Sequence, residues 1–354
     1  MTYLPACLAP YIPEHLTPLA YGLTFLLLTL ITPAIMPLLR RRNQLPVTNR
    51  LVLITGGSSG MGLSAARLLS TKGAHIVIIA RDPIKLSTAL TSIRASAASP
   101  SQRFHAISAD MSISTEAARA FAETQTWWSE GGGEGGVDIV WQCAGGTQPG
   151  YFKDTSPEQL EAEVKGNYFG ALHTAHNAIR AMTEHPATPQ NKKHLIFTSS
   201  VLALYPVAGY SAYAPSKAAV RSLADGLRQE CLLYDIAVHC CFPATIYSPG
   251  FAEENKTKPE LTRILEGSDD GQTPDEVARV CVKRLEKGQF LVVTTILGEA
   301  MRGAAWGGSP RGCWVWDTGV AVVVQAVWAV VGKVLDWEVV KYRKKVEKAG
   351  GKFA

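Results

Sequence analysis

Leu51-Val52-Leu53-Ile54-Thr55-Gly56-Gly57-Ser58-Ser59-Gly60-Met61-Gly62-Leu63-Ser64-Ala65-Ala66-Arg67-Leu68-Leu69 is the stretch that decides the fold. Four consecutive apolar residues read as a strand buried on both faces, and the residues after Gly62 read as a helix. Between them, Gly56, Gly60 and Gly62 fall where the chain must turn tightly, approach a pyrophosphate, and pack helix on strand. The helix N-terminus supplies an anion site, so Ser58, Ser59 and Met61 join the three glycines as expected cofactor-binding positions. Apolar strands and helical stretches go on alternating to Val293 without a linker. That alternation predicts one α/β domain, a Rossmann-type doubly wound parallel sheet. The low-complexity run Gly131–Gly136 precedes the predicted strand Val137–Trp141 and reads as a surface loop.

Downstream, Ser200 ends the apolar run Leu195-Ile196-Phe197-Thr198, and Tyr213-Ala214-Pro215-Ser216-Lys217 follows. If residues 211–233 are helical, Tyr213 and Lys217 stand one turn apart on one face. Reducing a ketone by hydride transfer requires an acid for the developing alkoxide, and a free phenol with a pKa of about 10 is a poor one. An ammonium beside the phenol is expected to lower its pKa, with Ser200 bonding the substrate oxygen. Each element alone has an ordinary alternative: a surface pair for Tyr213 and Lys217, a turn or cap for Ser200. Their joint occurrence in this order argues for catalysis.

These residues resemble the short-chain dehydrogenase/reductase family, whose pattern is Thr-Gly-x-x-x-Gly-x-Gly followed by Ser, Tyr-x-x-x-Lys and a helix asparagine. Asn167 occupies the asparagine's position, which the resemblance assigns to a proton-relay water. The family's Asn-Ala-Gly appears here as Cys143-Ala144-Gly145, and Cys143 is read as structural. The resemblance also implies a homodimer, through the helices holding Asn167 and Tyr213.

A narrower likeness lies in Ser248-Pro249-Gly250-Phe251-Ala252-Glu253-Glu254-Asn255-Lys256-Thr257-Lys258-Pro259, which resembles a loop of the 3-ketodihydrosphingosine reductases. The resemblance implies NADPH-dependent reduction of a long-chain 2-amino ketone, 3-ketosphinganine, in sphingoid-base synthesis at the endoplasmic reticulum membrane. Glu253 or Glu254 is then expected to pair with the substrate ammonium; the alternative is that both acids solvate a loop. Two rival readings stand beside it: a membrane reductase of another lipid ketone, such as a 3-ketoacyl-CoA or a steroid, and a non-catalytic nucleotide-binding scaffold.

The cofactor can be argued separately. After the second apolar strand, an NAD enzyme places an acid for the ribose 2′-hydroxyl, whereas Ala80 and Arg81 come first here. Arg81, Lys85 and Ser58 suit a 2′-phosphate, so NADPH is expected. Asp82 either competes with that reading or caps the next helix. Asp110 matches the family acid that contacts adenine, with a helix cap as its alternative. No metal site is expected.

The ends of the chain differ in character from the middle. Leu16 to Leu39 is a run of 24 uncharged residues followed by Arg40, Arg41 and Arg42, enough for a transmembrane helix with the arginines and the reductase on the cytosolic side. Pro18, Pro33 and Pro37 leave an interfacial anchor as the alternative. The expected division is an anchor over 1–46, a reductase domain over 47–297, and a membrane-associated segment with a basic tail over 298–354. Thr318 to Gly332 is apolar but, at 15 residues, short for a span, and reads as an interfacial or re-entrant helix, or else a buried core helix. The formal net charge of +5 is concentrated in these flanks, where Lys333 to Ala354 holds seven basic and three acidic residues. The rest is weakly acidic, so no nucleic-acid partner is expected. The cysteines show no Cys-x-x-Cys spacing and read as reduced and buried.

Overall fold

The structure is a computed structural model that describes residues 43–188, 191–267, 270–312 and 314–350. The expected N-terminal helix over 16–39 lies outside the described residues. Seven strands, β1 (Leu51–Thr55), β2 (His75–Ala80), β3 (Phe104–Ser108), β4 (Ile139–Gln142), β5 (Lys193–Thr198), β6 (Ile236–Phe242) and β7 (Leu291–Val293), form one sheet in the order β3-β2-β1-β4-β5-β6-β7. Every pairing is parallel, and β1 lies between β2 and β4, with Leu53 opposite Val77 on one side and Val140 on the other. The chain winds outward in both directions from the β1–β4 junction. A crevice therefore opens there, at the carboxyl ends of the strands.

Both faces of the sheet are covered, because the strands are apolar at consecutive positions. Leu51 and Leu53 join one core, Val52 and Ile54 the other. Helices α1 (Gly60–Ser70), α2 (Pro83–Arg94) and α9 (Pro274–Leu285) contribute to the second core. Helices α3 (Ser114–Glu130), α5 (Gly170–Glu184) and α6 (Tyr213–Glu230) contribute to the first. Each fully buried Leu, Ile or Val adds roughly 1.5–3 kcal/mol of transfer free energy, so strands of this composition are stable only inside such a sandwich. Trp128 is buried in the first core, and Trp127 packs against it.

The remaining helices are α4 (Pro157–Val164), α7 (Pro249–Thr257), α8 (Glu260–Glu266), α10 (Ile296–Ala304) and α11 (Trp314–Lys348). The segment expected to be a loop over 248–259 is mostly the helix α7, because Ser248 caps it, accepting from the Phe251 amide at 3.2 Å, and Pro249 starts it. The apolar run Thr318–Gly332 is not a short helix but part of the 35-residue α11, and it is not buried, which overturns the core-helix alternative. Among the described residues, this helix alone is long and apolar enough to cross a membrane.

Its two sides differ. Trp328 meets the Tyr205 ring at 5.1 Å, and Gln325 donates to the Ala304 carbonyl at 2.5 Å. Val323, Val327, Val330, Val334 and Trp337, spaced three or four apart, form an exposed apolar stripe.

In the sheet core, His194 Nδ1 and His239 Nε2 lie 3.2 Å apart, and His239 Nδ1 donates to the Gln289 carbonyl at 2.8 Å. With that tautomer, His239 Nε2 accepts from His194, and His194 Nε2 has no partner among the described residues. Burial holds His239 down at about 4 and His194 well below its usual range, so both are neutral when folded. The unfolded chain binds protons from about pH 6.5 downward while the folded chain does not. Stability is therefore full above pH 6.5 and falls as pH drops toward 4. His239 alone is expected to cost about 2 kcal/mol at pH 5 relative to pH 8. Denaturation midpoints at the two pH values, in wild type and His239→Asn, check this; an equal slope in both proteins would refute it.

Candidate active site

The glycine turn joins β1 to α1 at the crevice. Gly56 takes φ +69°, and a Cβ there would stand 2.7 Å from the Ala144 amide nitrogen. A Cβ on Gly62 would stand 2.3 Å from the Gly56 carbonyl oxygen. The turn is thus folded onto itself and onto the end of β4. The first intrahelical bond of α1 runs from Leu63 to the Ser59 carbonyl at 3.2 Å, and Ser59 makes no side-chain cap. The amides of Gly60, Met61 and Gly62 precede that bond and are presented at a positive helix end, as a pyrophosphate requires.

Asp82 caps α2, accepting from the Ile84 and Lys85 amides at 2.9 and 3.1 Å. The competing acid is thereby occupied, and Arg81 stands exposed after β2. Lys85 is exposed and lies 3.8 Å from Asp82. Asp110 accepts from the Ser112 amide at 2.9 Å, while α3 begins only at Ser114. Burial pulls its carboxyl up, but the Ser112 bonds, Arg81 and Lys165 together hold it below its usual range. These residues fit a phosphorylated dinucleotide along the ends of β1, β2 and β3.

Ser200, Tyr213 and Lys217 meet beyond the ends of β4 and β5. Tyr213 is the first residue of α6, and Lys217 follows one turn later, buried, its Nζ donating to the Thr198 carbonyl at 3.0 Å. Ser200 is buried and lies beside the Tyr213 phenol, where its side chain draws the phenol pKa down. Asn167 comes from a π-helical turn, Lys165–Phe169, inserted between α4 and α5. Its Nδ2 donates to the Gly146 and Glu163 carbonyls at 2.8 and 2.9 Å, and its Oδ1 accepts from the Gly146 amide at 3.1 Å. Such π turns recur where a side chain must be re-aimed into a site. Asn167 Oδ1 and Lys217 Nζ converge on Gly145, where a Cβ would lie 2.6 and 2.9 Å from them.

One expectation is corrected. Tyr213 does not stand below its ordinary value: the Lys217 Nζ donates to Thr198, 5.7 Å from the phenol ring centre, and does not outweigh burial. Burial pushes Tyr213 well above its usual value, Ser200 opposes this, and Glu254 and Glu163 add to the rise. Burial also brings Lys217 down to about 8. Cys143 is half-buried beside the glycine turn, accepts from the Thr198 hydroxyl at 3.6 Å, and has its thiol pushed up to about 12 by desolvation. It is therefore an inert thiol at neutral pH. Cys240 and Cys241 are buried free thiols in β6.

Glu253 and Glu254, adjacent in sequence, have different surroundings. Glu253 is exposed and pairs with Lys256 at 2.6 Å, a solvated contact. Glu254 faces inward. It contacts the Tyr210 hydroxyl and accepts from Lys258 at 2.9 Å, and Lys258 also bonds Glu266 at 2.9 Å. Sequence reasoning missed Tyr210, Lys258, Glu266 and Glu163. For Glu163 the one available signal was its position four residues before Asn167.

Comparison with known proteins identifies the family. Residues 50–259 match the short chain dehydrogenase family. A 3-ketodihydrosphingosine reductase of Aspergillus fumigatus is 39% identical over 87% of this chain and 89% of its own. One from Neurospora crassa is also 39% identical, over 88% and 87%. One from Yarrowia lipolytica is 37% identical, over 77% and 72%. Among solved structures, a short-chain dehydrogenase from Sphingobium yanoikuyae in complex with NADPH superposes with a TM-score of 0.60 at 20% identity, covering 75% of this chain and 97% of that one. A levodione reductase gives 0.60 at 20%, covering 70% and 96%. At these identities the two solved structures bear on the fold alone.

Proposed function

We infer that this chain, which belongs to the short-chain dehydrogenase family and within it to the 3-ketodihydrosphingosine reductases, reduces the 3-keto group of 3-ketosphinganine to sphinganine in sphingolipid biosynthesis. The observation that carries the reaction is the meeting of Ser200, Tyr213, Lys217 and Asn167 at the switch point of the sheet. NADPH, when bound, supplies the hydride. Tyr213 holds its proton firmly at neutral pH, because burial raises its pKa, and gives that proton to the carbonyl oxygen as negative charge develops there. Ser200 donates to the same oxygen and steadies the phenolate left behind. Lys217, buried and held by the Thr198 carbonyl, keeps a positive charge within reach of the phenol. Asn167 fixes the backbone turn at Gly146 and faces Lys217, the position from which a water would return the proton.

Gly56, Ser59, Gly60, Met61 and Gly62 are assigned to the pyrophosphate, Ser58, Arg81 and Lys85 to the 2′-phosphate, and Asp110 to the adenine side. The preference for NADPH rests on Arg81, since Asp82 is committed to its cap. The exposed stripe of α11 and its basic tail support attachment to the cytosolic face of the endoplasmic reticulum membrane. Because the opposite side of α11 packs on Tyr205, five residues from Ser200, an in-plane helix would bring the site to the bilayer surface where a long-chain ketone dissolves. A homodimer through the helices bearing Asn167 and Tyr213 belongs to the same reading.

Membranes containing the protein should oxidise NADPH, and NADH poorly, on adding 3-ketosphinganine. A 3-ketoacyl-CoA or a steroid ketone should give little turnover. Faster turnover of either of those would replace the substrate while keeping the mechanism.

A further inference from the structure

Tyr210 stands three residues before Tyr213, its ring 6.0 Å away, and carries a buried ionic cluster. Its hydroxyl contacts Glu254 and Glu266, and both carboxylates bond Lys258 at 2.9 Å. The Lys258 side chain is only 1% exposed, so the pairing is set inside the protein. Two carboxylates share one ammonium there, which leaves the cluster formally one charge negative.

A third carboxylate approaches from α4. Glu163 Oε1 accepts from the Thr147 hydroxyl at 3.1 Å and the Gln148 amide at 2.6 Å, both neutral donors. Its Oε2 has no hydrogen-bond partner among the described residues, and its backbone carbonyl holds Asn167 at 2.9 Å. Burial keeps the Glu163 carboxyl above its usual range, with Glu254 adding to the rise. Glu254 holds the hydroxyl of Tyr210, whose ring lies 6.0 Å from that of Tyr213, and Glu163 holds Asn167, so both acids reach the catalytic group from their own side. Excess negative charge in a partly enclosed site is costly without a cation, and Lys217 is turned to Thr198.

We propose that Glu163 and Glu254 receive the ammonium of a 2-amino ketone whose carbonyl oxygen lies against Tyr213 and Ser200, which makes them the residues that select an amino ketone over a plain ketone. The proposal deepens the reading above and rests on it. The ammonium sits on the carbon next to the carbonyl, so a substrate held by Tyr213 carries its charge into the space these two acids flank. Once there, it also relieves the repulsion that both acids exert on a developing Tyr213 phenolate. Binding and proton transfer are thus linked.

The test compares kcat/KM for 3-ketosphinganine and for the 1-hydroxy-3-ketone of equal chain length lacking the amine, using full-length protein in membranes. Glu163→Gln and Glu254→Gln should each lower the amino-to-desamino ratio about ten-fold or more, the worth of a charge-assisted bond. Glu253→Gln, on the exposed face of α7, should leave the ratio unmoved. NADPH binding by each variant reports that it is folded; should Glu254→Gln unfold by stranding Lys258, Glu163→Gln carries the test alone. An unchanged ratio in the folded variants, or a wild type that reduces both ketones equally well, overturns the proposal and leaves the proposed reaction intact. A wild type inert toward the amino ketone overturns both.

Discussion

Tyr213→Phe is expected to lower kcat for the ketone by about 10²- to 10⁴-fold, the usual contribution of a positioned acid, while leaving NADPH affinity unchanged. The substitution removes one oxygen from a ring held at the first residue of α6 and packed 6.0 Å from Tyr210. The fold loses little, because the ring stays and Ser200 retains its bond from the Leu202 amide at 3.2 Å. The alkoxide then has only Ser200 to meet it, and a hydroxyl donates a hydrogen bond there without giving up its proton. Single-turnover NADPH oxidation together with fluorescence titration of NADPH separates the two effects. Turnover within ten-fold of wild type would show that another group supplies the proton.

The second large effect is in the cofactor turn. Gly62→Ala places a Cβ 2.3 Å from the Gly56 carbonyl oxygen and 2.9 Å from its carbon. Both are backbone atoms of a residue that is itself constrained, since Gly56 holds φ +69° with Ala144 and Cys143 against it. No side chain can swing away, so either α1 shifts off β1 or the turn opens. Overpacking of this kind costs about 3 kcal/mol, which for a domain of this size lowers Tm by roughly 6–10 °C. NADPH affinity should fall with it, because the same displacement moves the amides of Gly60 and Met61. Gly226→Ala, in the middle of α6 with nothing within 4 Å of its Cβ, is the matched control. It should be neutral or stabilising by up to about 1 kcal/mol. Equal melting temperatures for Gly62→Ala and Gly226→Ala would mean that the turn is slack.

The exposed Val323–Trp337 stripe and the inward-facing Glu254 show how residues adjacent or similar in sequence acquire different partners. Ser248 and Pro249 are a legible helix start, a capping hydroxyl followed by proline, yet the resemblance alone carried the segment as a loop. The helix, once formed, sends Glu253 to solvent and Glu254 inward, since neighbours on a helix point about 100° apart. Nothing local distinguishes the two acids. Lys258 likewise reads as a surface lysine until α8 returns Glu266 to its side.

The doubly wound sheet, the glycine turn and the spacing that sets Tyr213 beside Lys217 were legible before any tertiary contact, because each depends on periodicity and backbone geometry within a few residues. Tertiary structure alone decided where charge sits. It turned Lys217 toward Thr198, raised Tyr213 through burial, and flanked that phenol with Glu254 and Glu163, which are 91 positions apart in the chain. Burial and the direction of a neighbouring charge are properties of the packed molecule, and both act through distances that local sequence does not fix.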